Sequence, residues 1–199
     1  MSDGEAAATG AQEVLDFWFG APGSAESGSA RKVWFVKDAA FDRHIVERFG
    51  PTIERGLRGE LDAWAATSEG ALARLLVLDQ FTRNAFRGDR RAFAGDAQAL
   101  AAASALVGSR QDESLAPLQR AFAYLPFEHA EGLAMQDEAI RLFEKLVAQA
   151  PELKTMLDYA YKHRAVIERF GRFPHRNAAL GRRSTAEELA FIATPGTGF

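Results

Sequence analysis

The stretch Asp38–Leu57 reads DAAFDRHIVERFGPTIERGL, and its apolar residues return every four positions. These residues are Phe41, Ile45, Phe49, Ile53 and Leu57. Four-residue spacing lies close to the helical repeat, so the stretch predicts an amphipathic helix, with a kink at Gly50 and Pro51. The core of this part of the chain is therefore expected to be helical.

Amino-acid composition extends the helical prediction to the whole chain. The 199 residues include 38 alanines but only 21 β-branched residues, and alanine is the strongest helix former. Apolar patterns and capping residues predict further helices at Ala11–Phe19, Glu69–Phe86, Ala97–Val107, Leu115–Leu125, Glu131–Val147, Glu152–Phe170 and from Ser184 or Thr185 to about Ala193. We predict an all-α fold of eight or nine helices in antiparallel hairpins, with a single helical domain at residues 11–199 and a flexible N-terminus at residues 1–10.

Charge and cysteine content exclude several classes of protein. The chain contains no cysteine, so disulfide frameworks and thiolate metal sites are excluded, and a cytoplasmic location is expected. The formal net charge of −3 gives no field that would attract nucleic acid. The purest apolar run, residues 99–107, is far shorter than the roughly 20 residues that a membrane-spanning helix needs. We therefore expect neither nucleic acid nor a membrane as partner, and the sequence does not indicate an oligomeric state.

A first group of polar residues lies at the C-terminal end of the predicted helix Glu69–Phe86. Asp79 and Arg83 are four residues apart, so they share one helix face and can form an ion pair, with Asn84 beside them. The pattern is typical of a ligand-binding helix end, and equally of a structural ion pair with a C-terminal cap.

A second group surrounds His129. Pro126 suits the first position of a helix, and Glu128 suits the positive end of a helix dipole. His129 and Glu131 are two residues apart, which is unfavourable for a metal pair on one helix. His129 is therefore interpreted either as an acid, base or hydrogen-bond donor in a cleft, or as a buried histidine with a structural partner.

The third and densest group of candidate binding residues begins with His163 and continues beyond the end of the same predicted helix. Gly171 supplies a left-handed helix cap, and Pro174 can open a new turn. The backbone N–H groups of such a turn, together with forked guanidinium groups, form an anion-binding arrangement. Its side chains are Arg172, His175, Arg176 and Asn177. The alternative is a tight connection whose arginines pair with helix carboxylates.

Four segments together resemble the DUF924 family: Val14–Gly20 (VLDFWFG), Leu78–Asn84 (LDQFTRN), Tyr124–Glu131 (YLPFEHAE) and Arg169–Asn177 (RFGRFPHRN). The resemblance implies a bacterial-type, tetratricopeptide-like helical protein, and it implies no settled activity. The chain departs from the family pattern at Thr82, Ala130 and Met135, where proline, serine and an acidic residue are common. Loss of a hydroxyl and a carboxylate near His129 weakens any mechanism that needs them.

Two functions follow from these groups. The first is a binding protein whose pocket holds a small anionic ligand or an acidic peptide, with Arg172 and Arg176 holding the negative charge. The second is a metal-independent hydrolase or lyase acting on an anionic small molecule, with His129 or His175 as acid/base, oriented by Glu131 or Asp79. No cofactor and no metal site are expected. Both functions require His129, His175 and Arg172 to line one cleft.

Overall fold

A computed structural model describes the backbone of residues 3–194 and the side chains of residues 10–194. The described residues form helices joined by turns and contain no strand, so the all-α prediction is confirmed. The helices are α1 (Asp3–Phe19), α2 (Ala39–Leu57), α3 (Ser68–Leu75, continued by Leu76–Phe81 and Thr82–Ala85), α4 (Asp96–Gly108), α5 (Pro117–Glu128), α6 (Leu133–Val147), α7 (Lys154–Phe170) and α8 (Ala186–Ala193). In this described part, no helix is long and apolar enough to cross a membrane.

Helix α2 forms as its four-residue spacing predicts. Phe41, Ile45, Phe49 and Ile53 are all buried in the main core. The Asp38 side chain accepts hydrogen bonds from the first backbone N–H groups and caps the helix. The periodic stretch therefore determines both the helix and the face that it buries.

Two helix ends differ from the prediction. Helix α1 begins at Asp3 instead of Ala11, which agrees with the high helix propensity of the alanines in this stretch. Whether residues 1–10 are flexible stays a prediction. Pro126 does not end helix α5 but lies inside its last turn, so it is not the first residue of a helix. Because α5 ends at Glu128, the missing N–H of Pro126 removes only a late helical hydrogen bond.

Helix α3 changes its winding in the middle. Its central segment, Leu76–Phe81, is a π-helical turn with α-helical turns on both sides. Leu76, Val77, Leu78 and Phe81 are buried in the core. The extra residue in a π turn shifts the side chains that follow, and such turns are frequent at functional sites.

The C-terminal half packs helix against helix in chain order. Helix α6 packs against α5, and α7 packs against α6. Gly171, with a φ of +67°, ends α7 as predicted. Of the two predicted starts of the last helix, Ser184 and Thr185, the structure has Thr185, whose side chain forms a capping box with Glu188 at the start of α8. The tetratricopeptide-like arrangement of these helices stays a prediction.

Gly95 brings the start of α4 against the π-helical turn of α3. A Cβ atom at Gly95 would overlap the backbone carbonyl oxygen of Leu78. Because that oxygen belongs to the backbone, it cannot move aside as a flexible side chain could. Only glycine therefore allows Asp96, the next residue, to approach the π turn this closely.

We expect Gly95→Ala to destabilise the protein by at least about 2 kcal/mol, because overpacking against backbone forces a shift of the helix. Gly108→Ala, at the other end of α4, is the matched control, since open space surrounds that position. Alanine is the better helix former, so the control should be neutral or slightly stabilising. Urea unfolding followed by circular dichroism measures both, and equal stabilities for the two variants contradict the close approach.

Candidate functional site

A cleft of about 350 Å³ opens beside the π-helical turn. Its wall consists of the π turn of α3, the start of α4, the end of α5 and the segment that follows α7. The polar lining residues are Asp79, Asp96, His129, Glu131 and Arg176. The apolar lining residues are Phe93, Ala97, Leu100, Pro126, Ala130 and Leu180. The cleft thus combines an apolar wall with an ionisable cluster.

The centre of this cluster is the contact between Asp79 and His129. The Nδ1 atom of His129 lies 2.8 Å from Oδ1 and 3.0 Å from Oδ2 of Asp79. Arg83 Nη1 lies 2.9 Å from Asp79 Oδ1, as the four-residue spacing predicts. Gln80 donates a 2.6 Å hydrogen bond to Oδ2. Asp79 is only 2% exposed, so a buried carboxylate has three polar partners around it.

These contacts fix the charge of both groups. Burial opposes ionisation of Asp79, but Arg83 and His129 outweigh it and hold its pKa well below the ordinary range. Burial, with the positive charge of Arg83, lowers the pKa of His129 and outweighs the opposite effect of Asp79. The ionised carboxylate only accepts hydrogen bonds, so a neutral His129 donates from Nδ1 and keeps its lone pair on Nε2. No described residue bonds to that Nε2 atom.

Two arginines and Asp96 form a second layer of charge. Asp96 Oδ1 lies 2.9 Å from Arg83 Nη1, and Asp96 Oδ2 accepts a 3.1 Å hydrogen bond from Arg176 Nη1. Arg176 also donates from Nη2 to the backbone carbonyl of His129 at 3.0 Å. One carboxylate therefore bridges two guanidinium groups, and one of these groups holds the backbone that carries His129.

Arg176 is buried between two aromatic rings. Its Cζ atom lies 4.9 Å from the ring centre of Phe93 and 4.5 Å from that of Phe173. Burial, with repulsion from Arg83, lowers its pKa to about 10. The side chain is thus still a cation at neutral pH, and the rings stabilise it by cation–π contact.

Glu131 lines the cleft but is held by other partners. Its two carboxylate oxygens accept hydrogen bonds from Arg182 at 2.6 and 2.9 Å, and Oε1 also accepts from the backbone N–H of Phe173 at 2.8 Å. Burial opposes this ionisation, but the Arg182 hydrogen bonds dominate and lower the pKa of Glu131. Asp79, and not Glu131, is therefore the carboxylate that orients His129.

His163 lies behind the cleft and not in its lining. Its Nδ1 atom is 2.8 Å from Glu128 Oε1 and 2.9 Å from the backbone carbonyl of Tyr159. Gln136, fully buried, donates to the backbone carbonyls of Glu128 and Ala130 at 2.6 and 2.7 Å. These contacts fix the loop on both sides of His129.

The turn after Gly171 does not form the anticipated anion-binding arrangement. Arg172 forms two hydrogen bonds with Glu188, at 2.7 and 2.9 Å, and lies outside the cleft. The backbone N–H groups of Arg176 and Asn177 bond within their own 3₁₀ turn, so neither is available to a ligand there. The structural alternative, a tight connection with paired arginines, describes Arg172 correctly.

Four other candidate residues also lie outside the lining of the cleft, and Arg83, which contacts two lining carboxylates, is one of them. Asn177 is buried and bonds to Ser184 and Arg182. Asn84 donates to Asp42 of α2 at 2.9 Å and thereby joins α3 to α2. His175 is exposed, with its ring centre 5.7 Å from that of Phe173. Of the three residues expected to share one cleft, only His129 lines it.

Two cleft residues were not identified from the sequence as part of a site. Asp96 precedes the predicted helix Ala97–Val107, a position typical of a helix cap, but the capping residue is Gly95 and the Asp96 carboxylate contacts two arginines. Phe93 lies in a short 3₁₀ turn, and no sequence signal marks it. Over the part of the chain that the structure describes, no group of three metal-ligating side chains occurs.

Fold and cleft together define an all-α protein with an ionisable cluster beside a π-helical turn. The family described as bacterial protein of unknown function (DUF924) matches residues 14–196, and the chain belongs to this family. The solved structure of a protein of unknown function, ATU0120 from Agrobacterium tumefaciens, is similar, with a TM-score of 0.80 and 39% sequence identity. That likeness covers 94% of this chain and 98% of that chain. No curated protein matches the chain.

We expect His129 to titrate below its ordinary pKa of 6.5 and to carry its proton on Nδ1 when neutral. The folded protein then binds fewer protons at this site than the unfolded chain, so stability falls as the pH drops below about 6.5. Imidazole ¹⁵N spectra give the tautomer and the pKa. Urea unfolding at pH 7.5 and 5.5 gives the free energy of unfolding. This free energy should fall less between the two pH values for His129→Gln than for the wild type. A pKa above 6.5 contradicts the proposed neutral state.

Proposed function

We propose that the cleft binds a small anionic molecule. The observation that carries the proposal is a pair of guanidinium groups that share Asp96: Arg176, which lines the cleft opposite its apolar residues, and Arg83, which lies outside the lining. Ligand sites in proteins are typically concave and mostly apolar, with a few polar groups that fix the orientation of the ligand. Arginine is the side chain best suited to carboxylate and phosphate groups, because its planar fork donates two parallel hydrogen bonds.

The size of the cleft favours a small molecule over a long peptide. Its volume of about 350 Å³ lies near the lower end of the roughly 300–1,000 Å³ typical of small-molecule pockets. An acidic peptide could enter only with its terminal residue. Arg176 replaces Arg172 as the main anion-binding residue in this proposal, because Arg176 lines the cleft and Arg172 lies outside it.

Ala97→Trp tests the location of the binding site. Ala97 is exposed at the start of α4 and lines the cleft, so an indole ring there fills the space. Ala105→Trp, at an exposed position on the same helix outside the cleft, is the matched control. The ligand panel consists of phosphorylated sugars, dicarboxylates and acidic peptides.

For wild type and Ala105→Trp, a panel ligand at 100 times its dissociation constant should add about 2.7 kcal/mol of stability. For a domain of this size, that gain raises the melting temperature by about 5–11 °C. Ala97→Trp should lose the rise. A rise that survives in Ala97→Trp, or no rise with any ligand in the wild type, contradicts the proposed site.

A second candidate function is acid/base catalysis on the bound anion, which the Asp79–His129 pair favours. A neutral histidine that is oriented by a carboxylate and has an unbonded Nε2 is suited to accept a proton from water or substrate. Among the described lining residues, none carries a hydroxyl, thiol or amine nucleophile. A hydrolase or lyase of this kind would therefore act through water or through a proton of the substrate itself. His129 fits the role better than His175, which does not line the cleft.

His129→Gln should lower the rate on any carboxylate- or phosphate-bearing ester that the protein hydrolyses by about 10²–10⁴-fold, the usual contribution of a general base. His175→Gln serves as the matched control and should retain the wild-type rate. A continuous assay of ester cleavage measures the rates of the two variants and of the wild type. Equal rates for His129→Gln and the wild type, or a loss confined to His175→Gln, exclude His129 as the proton acceptor.

A further inference from the structure

A carboxylate of the chain itself occupies the space between Arg176, which lines the cleft, and Arg83, which lies outside the lining. Asp96 contacts Arg83 Nη1 at 2.9 Å through Oδ1 and Arg176 Nη1 at 3.1 Å through Oδ2. A carboxylate or phosphate group of a ligand would bridge the two guanidinium groups in the same way. The side chain of Asp96 thus imitates a bound anion.

We infer, on the basis of the proposed function, that the anionic group of the ligand replaces the Asp96 carboxylate between Arg83 and Arg176. Asp96 then sets the affinity of the cleft, because every ligand must displace it. A ligand with a single negative charge only replaces one carboxylate by a similar group, so the exchange adds little binding free energy. A phosphate monoester, with a charge of about −1.5 to −2 near neutral pH, gains more. The inference therefore names small phosphate-bearing molecules as the ligand class.

The surroundings of Asp96 permit this exchange. The side chain is 24% exposed, whereas those of Arg83 and Arg176 are 18% and 7% exposed. Asp96 is the first residue of α4, so its side chain can rotate towards solvent without a change in the helix. The arginines stay in place: Arg83 also donates to the backbone carbonyl of Asp79 at 2.7 Å, and aromatic rings enclose Arg176.

Unused hydrogen-bonding capacity in the cluster supports the same conclusion. Arg83 Nη2 and Arg176 Nε are buried and make no hydrogen bond with the described part of the protein. Asp96 Oδ1 contacts Arg83 as an ion pair but lacks a well-directed hydrogen bond. The single carboxylate of Asp96 thus leaves a buried N–H donor without a hydrogen bond on each guanidinium group. A phosphate group offers more acceptor oxygens than a carboxylate to the same pair.

Inorganic phosphate and acetate are the probes for this inference. Asp96→Asn removes the negative charge while keeping the size of the side chain, and Asp96→Ser removes it with a smaller one. Asp137→Asn, at an exposed position on α6 outside the cleft, is the control with the same change of charge. Calorimetric titration at constant ionic strength gives the affinities, and circular dichroism confirms that each variant is folded.

We expect both Asp96 variants to bind phosphate at least tenfold more tightly than the wild type and Asp137→Asn, with a smaller gain for acetate. Ala97→Trp combined with Asp96→Asn should lose the gain, because the filled cleft excludes the probe. Unchanged or weaker phosphate binding by both Asp96 variants overturns the inference. In that case, the proposed function still stands if the wild type binds a panel ligand and Ala97→Trp does not. Only the displacement of Asp96 is then refuted.

Discussion

The cleft depends on one buried carboxylate, that of Asp79. Removing a charge from water is costly, and the cost is offset only when partners of opposite charge and good geometry surround the group. Arg83 from the same helix supplies the opposite charge, and Gln80 and the neutral His129 donate hydrogen bonds to the carboxylate. Because the Asp79 carboxylate is buried, the removal of Arg83 would leave its negative charge without an ion-pair partner. The pairing therefore joins α3 to the loop after α5 and fixes the position of His129.

The π-helical turn explains why a carboxylate can be buried here. Helix α3 is surrounded by the core, and its neighbouring residues are leucine, valine and phenylalanine. Within the turn Leu76–Phe81, the altered winding directs Asp79 towards the cleft, while Phe81 faces the core. Gly95 then lets α4 approach the turn and brings Asp96 beside Arg83. Backbone geometry and charge pairing thus depend on one another.

Around the cleft, negative and positive groups alternate and nearly balance. Arg83 pairs with Asp79 and Asp96, Arg176 pairs with Asp96, and an arginine pairs with Glu131; of these three arginines, Arg176 lines the cleft. Such pre-formed pairs hold the groups in fixed positions before any ligand arrives, and this lowers the cost of ordering them on binding. The proposed anion binding and proton transfer rest on this arrangement of an unbonded histidine nitrogen beside fixed cations.

The sequence by itself determined the helical fold, because helix formation is read from residues three or four apart. The buried face of α2, the Gly171 cap, the Thr185–Glu188 capping box and the Asp79–Arg83 pair are all local features of this kind. The tertiary structure alone decided which polar residues meet. His129 and Asp79 are 50 positions apart, and Arg176 and Asp96 are 80 positions apart. Arg172, close to Arg176 in sequence, pairs with Glu188 instead, because helix packing and not sequence spacing selects the partner of a charged side chain.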